Sequence, residues 1–401
     1  MLFSPITIGT LKLKNRIVRS ATFEGMADKD GNPTEEYIKY YQNLLNQNIG
    51  LVITGFMYVN IEGKAIQPGQ ASLCSESVIP LYKKITKQKG DTKIFAQISH
   101  CGRQTNRKVT GGHLWAPSKK RSLYFGEVPD MLSEEKINSI IRDYSESAYF
   151  AKLAGFDGIQ LHAAHGYLIH QFILSSVNKR SDIYGIDSKT GIGTLFFEKV
   201  IEGVRNKCGE EFLISVKISG ADDYGNTFDQ PKLRELVRFL DTKNICLIEI
   251  SYGTMDYPLN IIRGSDIPID SILKYNIKYK TDSIIKKFFF KKCLLPILKI
   301  KIKKNYKAYN EQYAQIAKDE TSVPIILVGG LRSREEMEKQ LRNKNCDMIS
   351  MCRTFICEND LAVKLLNEKN YSSCCISCNL CLIMCDTDKP TKCYQKVCNG
   401  S

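Results

Sequence analysis

Eight short β-rich runs punctuate the chain, at residues 17–21, 51–55, 94–98, 158–162, 213–218, 247–251, 325–328 and 347–351. Most are continuously apolar instead of alternating, the pattern of parallel strands covered on both faces. Amphipathic stretches lie between them. Residues 35–47 put Tyr37, Ile38, Tyr41, Leu44 and Leu45 on one helical face. Ser133 is placed to cap a long helix running toward Ala154, with Glu134 and Glu135 in its first turn. Ser333 and Glu336 have the spacing of a capping box. Strand–helix alternation repeated eight times predicts an α/β fold, either a (β/α)8 barrel or a doubly wound sheet. The doubly wound sheet of a dinucleotide-binding protein needs G-x-G-x-x-G between a strand and a helix. The nearest candidate, Gly191-Ile192-Gly193, lacks the third glycine and follows a polar stretch. The expected fold is therefore a TIM barrel over residues 1–357, with an insertion at 276–307 between strands six and seven. A C-terminal helix and cysteine-rich tail (358–401) would follow.

A barrel takes about 250 residues, more with insertions, which suits a chain of 401 with a tail. No window reaches ~18 uncharged apolar residues, so no spanning helix is expected. The start, MLFSPITIGTLKLKNR, lacks the features of a signal peptide, and a cytoplasmic location is expected. The fifteen cysteines are then expected to be thiols or metal ligands, not disulfides.

The net charge of +14 is concentrated in one place: between Asn276 and Lys307 lie eleven Lys and a single acid, Asp282. No nucleic-acid-binding motif accompanies this run, so nucleic acid is not expected as a partner. The same segment contains Phe288-Phe289-Phe290 and several leucines. Its expected form is a solvated capping subdomain packed by those apolar residues. The alternatives are contact with an anionic membrane, which is not the favoured reading, and attraction of acidic substrates.

In a barrel, chemistry sits at the C-terminal ends of the strands. Unusual residues collect there: Ser20-Ala21-Thr22, Thr54-Gly55, Gln97, His100, His162, Lys217, Gly329-Gly330 and Cys352-Arg353. His162-Ala163-Ala164-His165-Gly166-Tyr167-Leu168 closes the fourth run, and Arg180-Ser181-Asp182-Ile183-Tyr184-Gly185 follows. Taken with Leu2-Phe3-Ser4-Pro5 and Lys14-Asn15-Arg16-Ile17-Val18, these motifs resemble the Old Yellow Enzyme family. The similarity is strongest to the branch containing 2,4-dienoyl-CoA reductase and trimethylamine dehydrogenase, and it covers nearly the whole chain.

The resemblance implies an FMN-dependent oxidoreductase that spends NADH or NADPH on the activated C=C bond of an α,β-unsaturated carbonyl compound or thioester. Hydride would pass from flavin N5 to the β carbon. Charge would then develop on the carbonyl oxygen, where two donors should meet it, while an acid protonates the α carbon. His162 and His165 match the family's donor pair and Tyr167 its proton donor; a phenol with pKa ~10 is protonated at neutral pH. Gln97 would bond the flavin's pyrimidine edge, and Lys217 would stand where a basic residue favours the anionic reduced form. Ser20, Ala21, Thr22 and Gly55 would line the flavin; Gly329, Gly330, Cys352 and Arg353 would cradle its phosphate. Some relatives carry Pro-Met-Cys where this chain has Ala21-Thr22-Phe23, so a potential-tuning cysteine is missing. An H-x-x-H zinc site is the rival for the histidines, but the H-E-x-x-H helix and a third ligand are absent.

The tail reads Cys375-x2-Cys378-x2-Cys381-x11-Cys393. That spacing suits a [4Fe–4S] cluster and resembles the iron–sulfur members of the branch. Zinc, or thiols without metal, are the alternatives, because Cys374, Cys385 and Cys398 crowd the same stretch. The sequence ends short of the flavin- and nucleotide-binding domains of larger relatives. Direct binding of NAD(P)H over FMN is therefore the first expectation. The second is an electron-transfer component passing electrons between FMN and a cluster to a separate redox partner. Homo-oligomer formation is left open.

Overall fold

The computed structural model describes residues 1–225 and 227–395; Cys398 lies outside them. Eight strands form the centre: β1 (Ile17–Arg19), β2 (Leu51–Ile53), β3 (Lys93–Ser99), β4 (Gly158–Ala163), β5 (Leu213–Ser219), β6 (Leu247–Ser251), β7 (Ile325–Val328) and β8 (Met348–Met351). Each pairs in parallel with the next. Ile349 of β8 stands opposite Ile17 of β1, so the sheet closes into a TIM barrel. Every expected strand is present, with ends shifted by at most a few residues.

The helices follow the expected local chemistry. Helix α1 (Glu35–Leu45) starts where the Thr34 side chain accepts the Tyr37 N–H, and it buries Tyr37, Ile38, Tyr41, Leu44 and Leu45. Ser133 caps α2 (Glu134–Leu153), and Ser333 with Glu336 forms the capping box of α3 (Arg334–Arg342). The main core lies between barrel and helices. A hairpin (Ile6–Ile8, Leu11–Leu13) plugs the N-terminal mouth: Ile8 and Leu13 pack on Val18, Leu51, Phe95 and Leu247. That leaves the opposite mouth for chemistry.

Three segments build over the opposite mouth. After β6 the chain forms short helices at Pro258–Ile261 and Ile269–Tyr275. A helical run over residues 284–301 follows, α-helical at Ile284–Phe289 and Leu295–Lys301 with a π-helical turn at Phe290–Leu294. None of its residues is buried, so the expected packed subdomain is only half realised: Phe290, Leu294 and Leu298 are half-buried, and most other apolar side chains face outward. The third segment is the tail, whose helix Leu380–Met384 packs beside Ile269–Tyr275. Among the described residues no helix is long and apolar enough to cross a membrane.

Candidate active site

Strand register sets the first layer of the site. Lys217 of β5 stands between His162 of β4 and Glu249 of β6, and Gln97 of β3 faces Gln160 of β4. Above this layer is a cavity of about 360 Å³, within the range of small-molecule sites. Its wall contains Ala21, Thr22, Gln97, His162, His165, Tyr167, Lys217, Gly329, Gly330, Cys352 and Arg353. The chain thus brings together residues from six strand ends spread over more than 300 positions.

The His162–Tyr167 segment owes its shape to two successive left-handed residues, His165 (φ 60°) and Gly166 (φ 77°). A non-glycine residue held there marks strain that the surroundings must support. Here the supports are the His165 N–H donating to Ser219 Oγ at 3.1 Å and the Gly166 N–H donating to His170 Nδ1 at 2.9 Å. The turn sets the His162 and His165 rings 4.9 Å apart and the His162 and Tyr167 rings 4.8 Å apart. Phe56 stacks on Tyr167 at 5.4 Å.

Proton positions follow from these contacts. His162 Nδ1 accepts the Ala164 N–H at 3.3 Å, which leaves Nε2 as its proton-bearing nitrogen. His165 Nε2 is 2.7 Å from Ser251 Oγ. Burial, helped by the nearby Lys217 charge, holds both imidazoles well below their ordinary pKa. Burial pushes the Tyr167 phenol well above its own. At neutral pH the three groups are two neutral imidazoles and one phenol, able to donate hydrogen bonds and a proton without carrying charge.

Lys217 Nζ donates to Ser20 Oγ at 2.9 Å and pairs with Glu249 Oε1 at 3.4 Å. Glu249 is fully buried. Ser20 and Ser350 donate to its Oε1 at 2.6 and 2.7 Å, and Gln160 donates to Oε2 at 3.1 Å. Burial alone would raise its pKa; Lys217 and these three donors outweigh that and hold the carboxyl below its usual range. Gln160 also accepts from Gln97 Nε2 at 2.6 Å. A continuous hydrogen-bonded network therefore runs from Gln97 to Lys217 beneath the cavity.

At the far wall, Gly329 and Gly330 end β7 with φ of 128° and 76°. A Cβ on Gly329 would come within 2.6 Å of the Tyr309 ring, and one on Gly330 within 2.3 Å of the Tyr306 carbonyl. Only glycine holds this turn. Arg353 opens a short helix after β8 and donates to Asn379 Oδ1 at 2.6 Å and the Arg263 carbonyl at 2.9 Å. Beside it, Asn310 Oδ1 and Thr354 Oγ1 are buried polar atoms with no partner among the described residues.

Two expected lining residues are elsewhere. Ser20 is buried beneath the cavity wall, bonded to Lys217 and Glu249. The Gly55 N–H donates to Glu24 Oε1 and Tyr41 Oη at 2.7 and 2.9 Å, behind the wall. His100, also at the rim by sequence, is buried against Gly63. Glu249 and Glu24 were not foreseen. Their signal was a carboxylate inside an apolar strand, Leu247-Ile248-Glu249-Ile250, and another just past β1.

Cys375, Cys378, Cys381 and Cys393 line one small second cavity, together with Arg353. Cys375 and Cys381 also line the main cavity. The loop turns through left-handed Ser377 and Asn379, and Arg332 donates to Ser377 Oγ. Tetrahedral zinc with ~2.3 Å bonds would set its sulfurs roughly 3.8 Å apart. Among the described residues the only group of three potential ligand atoms all within 4.8 Å of one another is Cys357, Glu358 and Cys374, and Cys357 is disulfide-bonded, which corrects the expectation that the cysteines are all thiols or metal ligands. The four tail thiols are thus gathered around one space but spread more widely than zinc requires.

The NADH:flavin oxidoreductase / NADH oxidase family profile matches residues 1–255. A "Metal reductase" from Desulforamulus reducens is 27% identical over 398 residues, covering 98% of this chain and 53% of the relative. A "Cinnamate reductase" from Clostridium sporogenes is 28% identical over 397 residues, 94% of this chain and 54% of the relative. The chain thus spans about half the length of these curated relatives. A solved Old Yellow Enzyme homologue from Zymomonas mobilis superposes with a TM-score of 0.67 at 26% identity, covering 94% of this chain and 95% of that one. With a profile match over more than half its length and a barrel of the same architecture, this chain belongs to the NADH:flavin oxidoreductase / NADH oxidase family, the Old Yellow Enzyme family of the sequence resemblance.

Proposed function

We propose that the protein is an FMN-dependent NAD(P)H oxidoreductase that reduces the activated C=C bond of α,β-unsaturated carbonyl compounds or thioesters. The observation that carries this reading is the convergence of His162, His165 and Tyr167 in a single cavity wall, all three uncharged at neutral pH. The residues present fit FMN. Gln97 and Lys217 offer donors for the ring's polar edge. The Gly329-Gly330 turn, Arg353 and the unpartnered Thr354 hydroxyl offer donors for the phosphate, and the unpartnered Asn310 oxygen can accept from a ribityl hydroxyl. Bound FMN would supply the hydride equivalent, taken from NADH or NADPH.

The chain's own residues do the rest. His162 Nε2–H and a His165 N–H bond the substrate's carbonyl oxygen and favour charge developing there, since neutral donors need no counter-ion. Tyr167 gives its phenolic proton to the α carbon, and water restores it. Phe56, stacked on Tyr167, holds the phenol ring in place. The relative named for cinnamate reduction is consistent with such a substrate.

Anaerobic purification tests the reading. Flavin bands that bleach with NADH or NADPH and return with 2-cyclohexenone are expected. Absence of flavin from the purified protein would overturn it. A second reading rests on the thiol-lined cavity that shares Arg353, Cys375 and Cys381 with the main one. There a [4Fe–4S] cluster held by Cys375, Cys378, Cys381 and Cys393 would exchange electrons with a separate partner. Flavin that neither nicotinamide bleaches favours that second reading.

A further inference from the structure

We propose that the helical insertion at residues 284–301 is an interfacial segment that docks the barrel onto an anionic lipid bilayer. Its outward side chains are large and apolar: Ile284, Ile285 and Ile300 are 83%, 81% and 86% exposed, and Phe288 and Phe289 are 63% and 57% exposed. The inward side is apolar too, with Phe290 and Leu298 in the cavity wall. Large apolar side chains grouped on one surface are ordinarily covered, yet among the described residues nothing covers these outward ones.

The surrounding charge names the occupant. Of the eleven lysines between Asn276 and Lys307, three meet carboxylates: Lys291 with Asp270, Lys299 with Asp266 and Lys307 with Glu336. The other eight, Lys278, Lys280, Lys286, Lys287, Lys292, Lys301, Lys303 and Lys304, form no ion pair with a carboxylate among the described residues. A second copy of the segment would bring the same positive charge against itself. An anionic bilayer offers both complements at once, phosphate and carboxylate headgroups for the lysines and an acyl layer that takes Phe and Ile without a shaped groove. Lysine stems can lie along that apolar layer while the ammonium groups stay at headgroup level. The 18-residue run is about 27 Å long at ~1.5 Å per residue, enough to lie flat as one contact. Because Phe290, Leu298 and Ile302 line the cavity, the docked face borders the cavity mouth.

Sedimentation of the full chain with vesicles tests this without reference to catalysis. Binding to vesicles containing phosphatidylserine, but not to phosphatidylcholine vesicles, is expected at about 0.1 M salt, with release at about 1 M. Lys286→Gln, Lys287→Gln and Lys292→Gln together should weaken partitioning roughly 100-fold, at about fivefold per lysine. Phe288→Ser with Phe289→Ser should weaken it by about 100-fold or more, while flavin retention and melting temperature stay at parental values. Three results would each overturn the proposal. They are equal binding to neutral vesicles, no binding to either kind, and vesicle-free dimerisation that the Phe pair abolishes. Because the readout is sedimentation, its failure leaves the proposed oxidoreductase activity intact, and loss of that activity leaves docking intact.

Discussion

Replacing Glu249 with Gln removes the counter-charge of Lys217 while keeping nearly the same shape. At 3.4 Å two unit charges in an effective dielectric of ~20 attract by about 5 kcal/mol. Removing one partner of a buried pair costs roughly 3–5 kcal/mol, since the other is left uncompensated. Gln retains the Oε1 contacts with Ser20, Ser350 and Lys217, but its amide then faces the Gln160 amide that now donates to Oε2. Gln160 cannot simply turn over, because its own Oε1 accepts from Gln97 at 2.6 Å. About 4 kcal/mol is a reasonable working loss. Unfolding entropy near ~2.1 cal/mol/K per residue gives about 0.84 kcal/mol/K for a cooperative chain of 401 residues. The melting temperature should therefore fall by about 5 °C at pH 7. The carboxyl's folded pKa is held below its ordinary 4.5. Its stabilisation is thus present above that value and lost as pH falls through the folded pKa, so the gap between parent and variant should close in acid. In a Lys217→Met background the same change should cost only the mismatched amide, roughly 1–3 kcal/mol. A parental melting temperature within about 1 °C at pH 7, or fully additive losses in the double mutant, would refute the account of Lys217 and Glu249 as one coupled unit.

Four further outcomes are expected. Tyr167→Phe should lower alkene turnover by roughly 10²–10⁴-fold while NAD(P)H still bleaches the bound flavin; loss of both together would remove Tyr167 from the proton step. With the two imidazoles held far below neutrality and the phenol far above it, the same turnover should show no inflection from these groups between about pH 6 and 9. Burial pushes the Glu24 carboxyl up to about 7 against Arg19 and the Gly55 N–H. Stability from this group is full below its ordinary 4.5 and is lost as pH rises through about 7. Glu24→Gln should therefore gain on the parent in melting temperature between pH 5 and 8, and a pH-independent difference would contradict the raised value. Cys378→Ser should abolish any bound iron and acid-labile sulfide while flavin content holds; unchanged iron would exclude Cys378 as a ligand.

The barrel was legible because its signal is local. Continuous apolar runs such as Leu213-Ile214-Ser215-Val216 and caps such as Ser333 with Glu336 are decided within a few residues, and the eight strands stand where those runs lie. The His162–Tyr167 motif could be found for the same reason, as one turn carries all three groups. The network under the cavity could not. Ser20 meets Glu249 across 229 positions and Ser350 meets it across 101, so sequence near Ser20 shows a hydroxyl but not its partner. The hydroxyl expected at the flavin donates to a buried carboxylate below the cavity wall. Gly55 is the matching case: its N–H looks available at a strand end, yet Glu24 and Tyr41, folded back from the preceding loop and helix, take it.

The insertion shows the limit from the other side. Its composition was plain, and lysines around Phe288-Phe289-Phe290 were compatible with a self-packed cap. What composition cannot say is whether 18 residues have anything to pack against. The run leaves β6 on the side of the cavity mouth, where the barrel offers one contact line, filled by Phe290, Leu294 and Leu298. A single helix has more apolar surface than one line can cover, so Ile284, Ile285, Phe288 and Ile300 remain outside. Geometry, more than residue type, therefore leaves these side chains uncovered, and it does so beside the cavity that Phe290 and Leu298 help to line.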